Sequence, residues 1–232
     1  MRRICGGLRN SMLVLSDKDL EKAVEALRQG KTVVFPTETS YGLGCDAANQ
    51  EAVDKIFKIK GRQNNKPLLV AVPTVEMARK YLVWNELLEK ISSHWPGPLT
   101  VVGEYMTQPH PALSSAEERE SIRPSFAKEG VGGGLASGVV STDNTIAIRV
   151  TANPIARFLS EKLGRPVVAT SANLADAGDI YDPKQVLAMF SNKTVKPDIL
   201  INGGELPHNP PTTIVSVINN NLKILRQGQI KI

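Results

Sequence analysis

A chain of 232 residues, 41% apolar, can bury roughly 70–75% of its unfolded surface, so one large domain folds without help from disulfides or a structural metal. Its formal charge of +5 favours anionic partners but does not require them, and Cys5 and Cys45 lie far apart in no ligand spacing. That excludes a disulfide framework or a Cys-rich zinc site and fits a reducing, cytoplasmic location. No apolar run approaches the ~20 residues that span a bilayer, so no membrane partner is expected.

Residues 1–15 read as a disordered leader, too short and too polar for a signal peptide, and 16–232 as the domain. Ser16 and Asp19 have the form of a capping box opening a helix to about Gln29, which Gly30 ends. A buried strand over 32–36 then enters a Thr- and Gly-rich turn over 36–44. Asn49 can cap a helix through Ala52, Val53, Ile56 and Phe57, whose end delivers Lys60 and Arg62 to a strand over 67–72. Thr74 and Asn85 start further helices, and the second stops at His94-Trp95-Pro96-Gly97-Pro98 before a strand over 99–102. The segment 114–144 is charged, then Gly-rich; it is expected to be a mobile insertion, either a lid or plain disorder. A strand over 146–150 precedes the helix that Asn153-Pro154 opens and Gly164 closes. Another, over 166–169, leads into the turn Thr170-Ser171-Ala172-Asn173. Asp182-Pro183 starts the last helix; strands follow near 199–201, 213–217 and 222–225, the last two as a hairpin. This alternation of helix and strand signals is that of an α/β domain.

Lys60, Arg62 and Lys66 place three cations in seven residues beside the Thr-rich turn. A short charge run is ordinarily a solvated face. Here Gly61 suggests close backbone approach, and the position is a helix-to-strand junction, where α/β sheets carry ligand loops. Arginine supplies a planar fork for phosphate and lysine a compact charge, so a phosphate site is the expectation. Other motifs fail on inspection. Gly42-Leu43-Gly44-Cys45-Asp46-Ala47 has dinucleotide-fingerprint spacing, but 58–67 lacks the acidic residue a ribose needs, and the glycines are expected only to shape a tight turn. Gly133 to Gly138 has Walker spacing with Val139 and Val140 in place of Lys and Ser/Thr. His94, His110 and His208 have no ligand spacing, and there is no Gly-x-Ser-x-Gly elbow, so neither a protein-held metal nor a serine triad is expected.

Taken together, residues 36–44, Lys60-Gly61-Arg62, Trp95-Pro96-Gly97-Pro98-Leu99-Thr100, Ala147-Ile148-Arg149-Val150, Ser171-Ala172-Asn173 and Thr212-Thr213-Ile214-Val215 resemble the successive signatures of the YrdC family, the threonylcarbamoyl-AMP synthases. The resemblance runs from about Ser16 to Gly228. It implies a single α/β domain: a twisted mixed parallel and antiparallel sheet, flanked by helices, around a deep basic cavity. It also implies a nucleotidyl transfer in which L-threonine, bicarbonate and ATP give threonylcarbamoyl-AMP and pyrophosphate. The product would serve threonylcarbamoyladenosine modification of tRNA through a downstream transfer complex, with possible direct tRNA contact. By the same resemblance, Lys60, Arg62, Ser171 and Asn173 are the signature tetrad of the reaction, and with Lys66 and Arg226 they bind ATP. Thr37, Arg149 and Thr212 correspond to positions that contact threonine.

The chemistry of the residues agrees with that assignment. Carboxylated threonine attacking the α-phosphorus gathers a triphosphate and two carboxylates, so the site needs cations and donors where charge develops, and no protein nucleophile. Mg²⁺ would be held by phosphates and water. Three departures stand out. Ala71 sits where many members have histidine, the 114–144 insertion exceeds that of the shorter members, and the chain ends at Ile232 where longer members continue into a further domain, so closure is expected from within this one. Two other readings compete: a double-stranded RNA or tRNA binding module without catalysis, whose affinity would fall steeply with salt, and carbamoyl-adenylate chemistry as in the larger hydrogenase-maturation proteins. The small hydroxyls of Thr37, Ser171 and Thr212 suit a small polar amino acid better than an RNA surface, which favours exposed aromatics.

Overall fold

Short polar side chains start most of the helices. The computed structural model describes residues 12–61, 67–106, 134–174 and 177–232. Asn49 accepts the Ala52 amide at 3.0 Å to open α2 (Gln50–Lys60), Thr74 the Met77 amide to open α3 (Val75–Arg79), and Asn85 the Leu88 amide to open α4 (Glu86–Ile91). Asn153 caps α5 (Pro154–Leu163), which ends on left-handed Gly164, and Asp182 caps α6 (Pro183–Phe190). α1 (Leu20–Arg28) differs from the expected capping box: the Asp19 carboxylate binds the Ser16 hydroxyl and the Lys22 ammonium instead, and no side chain caps the helix. Among the described residues no helix is long and apolar enough to cross a membrane.

Among the described residues the strands divide between two mixed sheets. The first, in order β1-β9-β2-β3-β8, contains β1 (Leu13–Ser16), β2 (Val33–Pro36), β3 (Tyr41–Gly44), β8 (Thr170–Ser171) and β9 (Ile199–Asn202). The second, in order β11-β10-β5-β6-β4-β7, contains β4 (Val70–Val72), β5 (Leu99–Glu104), β6 (Thr145–Val150), β7 (Val167–Val168), β10 (Thr213–Ile218) and β11 (Asn221–Arg226). Residues 167–171 stitch the two together, because β7 pairs with β4 while β8, two residues on, pairs with β3. Asn219 and Asn220, with φ of 50° and 56°, make the tight turn of the β10–β11 hairpin.

Strand alternation separates core from cavity. On the second sheet Val101, Ile148, Val215 and Val217 join the main core, while Thr100, Val102, Ala147, Arg149 and Ile214 turn to the opposite face and line a cavity. On the first sheet Val33 and Phe35 pack in a smaller core with Val24 and Leu27 of α1 and Leu159 of α5. Val34 and Leu43 face the main core.

Several expectations change. Leu13 to Leu15, assigned to a leader, belong to β1, whose parallel register with β9 runs Leu13 to Ile199 through Ser16 to Asn202. The expected turn over 36–44 is a hairpin in which Tyr41 to Gly44 form a strand. Gly42 and Gly44 are there for close packing: a Cβ on Gly44 would stand 2.0 Å from the Val168 carbonyl oxygen and 2.7 Å from the Phe35 ring. Of the expected mobile insertion, residues 134–144 pack on the body. Val139 is fully buried, Ala136 donates its amide to the Ala47 carbonyl, and Gly138 accepts from Leu68. The rest of the insertion, 114–133, lies outside the described residues.

Candidate active site

A cavity of about 460 Å³ lies between the sheets, within the range of small-molecule sites. Its first wall comes from the β2–β3 hairpin and residues 169–171. Within the hairpin turn, the buried Thr37 hydroxyl donates to the Ser40 carbonyl at 2.7 Å and accepts the Thr39 amide at 3.3 Å, which locks the turn through its own side chain. Gly42 lets Thr37 in, since its missing Cβ would lie 3.0 Å from the Thr37 methyl.

Lys60 stands behind this wall. It is the last residue of α2, 1% exposed, and its Nζ donates at 2.7 Å to the carbonyls of Ser171 and Asn173 and to Asn173 Oδ1, with Ser171 Oγ at 3.4 Å. A cation at a helix C-terminus is favoured by the helix dipole, and here it ties that terminus to a loop more than a hundred residues on. The Ser171 hydroxyl donates to Asn173 Oδ1 at 2.6 Å, and Asn173 Nδ2 to the carbonyls of Ala177 and Gly178. Gly61 has φ +62° with nothing within 4 Å of a hypothetical Cβ. The glycine serves the left-handed end of α2. Ser171 lines the cavity, while Lys60 and Asn173 hold it from behind. Arg62 and Lys66 lie outside the described residues.

The second wall carries guanidinium groups. Arg149, on β6 and 3% exposed, has Nε 3.6 Å from Glu38 Oε1 and no hydrogen bond at that nitrogen. Glu38 is held in turn by the Thr151 hydroxyl at 3.0 Å and the Ala152 amide at 3.3 Å, so a residue of the first wall's turn orients an arginine of the second. Ala71 is Arg149's neighbour in the β4–β6 register and is fully buried, so no polar side chain reaches the guanidinium from that rung. Arg226, at the end of β11, donates through Nε and Nη2 to the Thr212 carbonyl at 3.1 and 2.9 Å, and through Nη2 to the Thr212 hydroxyl at 3.1 Å. Thr100 Oγ1 lies 3.2 Å from the same hydroxyl. Burial holds the Arg226 guanidinium below its ordinary pKa; Asp179 pushes it back up and neighbouring Arg149 draws it down. Thr37, Ser171, Arg149, Thr212 and Arg226 thus share one cavity.

A family model described as "Telomere recombination", the Sua5, YciO and YrdC proteins, matches residues 25–123 and 125–228. The chain belongs to the Sua5/YciO/YrdC family. Family relatives include a threonylcarbamoyl-AMP synthase of Aliivibrio fischeri, 27% identical over 215 residues that cover 91% of this chain and all of the relative. Sua5 of P. abyssi, solved in complex with L-threonine, superposes with a TM-score of 0.72 at 27% identity over 94% of this chain, which spans 57% of that protein. YciO of E. coli, at 21% identity and a TM-score of 0.71, covers 94% of this chain and 95% of its own and shares the fold.

Within this family site, sequence patterns did not single out Glu38 as the partner of Arg149, nor Thr100 as the neighbour of Thr212, although both residues sit inside quoted motifs. Asp179 carried no signal at all, and it is the sole carboxylate among the described lining residues. Neither described histidine lines the cavity: His94 is exposed in the 3-10 turn Ser92–His94, and His208 stacks on Tyr181 with ring centroids 3.9 Å apart. His110 lies outside the described residues.

Proposed function

We propose that this chain makes threonylcarbamoyl-AMP, a nucleotidyl transfer from ATP to carboxylated L-threonine that releases pyrophosphate. The observation that carries this is the pairing of a hydroxyl wall with a guanidinium wall across one cavity: Thr37, Ser40 and Ser171 face Arg149, Thr212 and Arg226. Small hydroxyls suit the threonine side chain, and the guanidinium groups suit its carboxylate and the nucleotide phosphates. The name of the A. fischeri relative and the L-threonine bound to P. abyssi Sua5 support catalysis over a binding-only RNA module.

In chemical terms, the threonine amine adds to the carbon of bicarbonate with loss of water, and the resulting carbamate oxygen attacks the α-phosphorus as pyrophosphate departs. The chain's part is to position and to stabilise charge. Lys60 holds the Ser171–Asn173 loop in shape, Arg149 takes the amino-acid carboxylate, and Arg226 faces the nucleotide. Arg62 and Lys66 add phosphate contacts on the resemblance of their motif. Mg²⁺ would arrive with the triphosphate, held mainly by its oxygens and water. The product would pass to a transferase complex acting on tRNA in the cytoplasm.

Purified protein given ATP, Mg²⁺, L-threonine and bicarbonate is expected to release pyrophosphate, with threonylcarbamoyl-AMP detected by mass spectrometry. Omitting threonine or bicarbonate should each abolish release. Equal release without threonine would make this a different nucleotide-cleaving enzyme. No release together with salt-sensitive tRNA binding would favour the binding module.

A further inference from the structure

The resemblance gives Thr37, Arg149 and Thr212 as threonine contacts, and none of them is an anion that could meet its ammonium. An ammonium placed between Arg149 and Arg226 would face two like charges, so a site that accepts an amino acid rather than a simple carboxylic acid needs an anion close by. The described lining residues supply one carboxylate, Asp179.

Its position is built. Immediately before it, the Ala177 and Gly178 carbonyls are held by Asn173 Nδ2; immediately after it, the carbonyl of buried Ile180 accepts the Tyr41 amide at 2.8 Å. Asp179 is therefore pinned on both sides, and each pin leads into the first wall: through Asn173 to Lys60 and Ser171, and through Tyr41 to β3. The side chain itself is exposed at the cavity lining, free to meet a ligand. We propose that Asp179 binds the α-ammonium group of the incoming amino-acid substrate, before that nitrogen gives up a proton to water and adds to bicarbonate, while Arg149 takes its carboxylate. The electrostatic coupling between Asp179 and Arg226 agrees with a carboxylate directed toward the guanidinium wall. Asn173 then has a definite task in the Lys60 network: it holds the loop that presents the carboxylate.

This assignment rests on the threonine-dependent reading above, and its test separates the two. Binding of L-threonine and of 2,3-dihydroxybutanoate of matching configuration, in which hydroxyl replaces ammonium, is measured by calorimetry on the full chain and on Asp179→Asn. The substitution is isosteric at an exposed position, and an unchanged unfolding midpoint verifies the fold. Threonine affinity is expected to fall about tenfold, the effect of one charged hydrogen bond, while the affinity of the hydroxy acid stays within twofold. In turnover the Asp179→Asn protein should show a raised KM for threonine with KM for ATP unmoved. Equal loss for both ligands, a rise confined to the ATP KM, or no change in threonine affinity would each overturn the assignment. Wild-type protein that binds no threonine would overturn the functional reading along with it.

Discussion

The two walls of the cavity are built on opposite plans. The first has its cation, Lys60, sunk behind hydroxyls and carbonyls and spent on holding the Ser171–Asn173 loop. The second lays Arg149 and Arg226 against the cavity itself. The difference follows from the two side chains. An ammonium offers three donors in a compact head, which the Ser171 and Asn173 carbonyls and Asn173 Oδ1 can satisfy internally. A guanidinium offers five in a rigid plane: among the described residues Arg226 commits Nε and Nη2 to Thr212, and Arg149 turns Nε toward Glu38, so terminal nitrogens remain for the cavity. One wall uses charge to hold shape, the other presents it to the cavity.

The sharpest way to break this contrast is Lys60→Met. By misplacing Ser171 it should cost adenylate formation on the order of 10²-fold at saturating substrates. It should also lower the denaturation midpoint, because buried carbonyls lose their donor. Full turnover in a folded Lys60→Met protein would end the distinction between a shaping and a binding cation.

Gly44→Ala tests the first wall without touching charge. With the new methyl 2.0 Å from the Val168 carbonyl, backbone must move, and a loss of about 1–3 kcal/mol is expected in urea unfolding. Wild-type stability would mean that the hairpin and β7 are less closely apposed than described.

Arg149→Lys probes the second wall. It keeps the charge but loses the fork, and threonine affinity should drop about tenfold by calorimetry while the unfolding midpoint barely moves. A large stability loss with unchanged affinity would make Arg149 a shaping residue like Lys60.

The smallest effect concerns Tyr41, whose hydroxyl donates to the Gly204 carbonyl at 2.7 Å and whose phenol is held above its ordinary pKa by burial. Because the folded pKa exceeds the unfolded one, its contribution is constant below about pH 10 and declines as pH rises through the folded value. Unfolding midpoints of wild type and Tyr41→Phe should therefore converge in alkali. A constant difference across that range would refute the linkage.

Much of this molecule is written locally. The caps Asn49, Thr74, Asn85, Asn153 and Asp182 act on amides two or three residues away, so the sequence reveals their helices almost to the residue. The β10–β11 hairpin is likewise signalled by its paired asparagines. The tetrad and threonine motifs were legible because each is a contiguous string, and the structure brings the described members of both sets to one cavity or directly behind its wall. Where local signals are weak, tertiary pairing overrides them. Tyr41 to Gly44 have the composition of a turn, yet a hydrogen-bonded partner on each side makes them a strand. Residues 134–144 look like loop, yet Ala136 and Val139 are buried against the body.

By itself the sequence determined the α/β class, the helix starts and the family, because these depend on contacts within a few residues or on contiguous motifs. The tertiary structure alone decided which charge faces the cavity. Lys60 meets its partners 111 and 113 residues later, Glu38 meets Arg149 across two sheets, and Asp179 reaches the cavity only because Asn173 and Tyr41 hold the chain on either side of it. Such long-range pairings are fixed by burial and hydrogen bonding of the assembled sheets, and no short stretch of sequence encodes them.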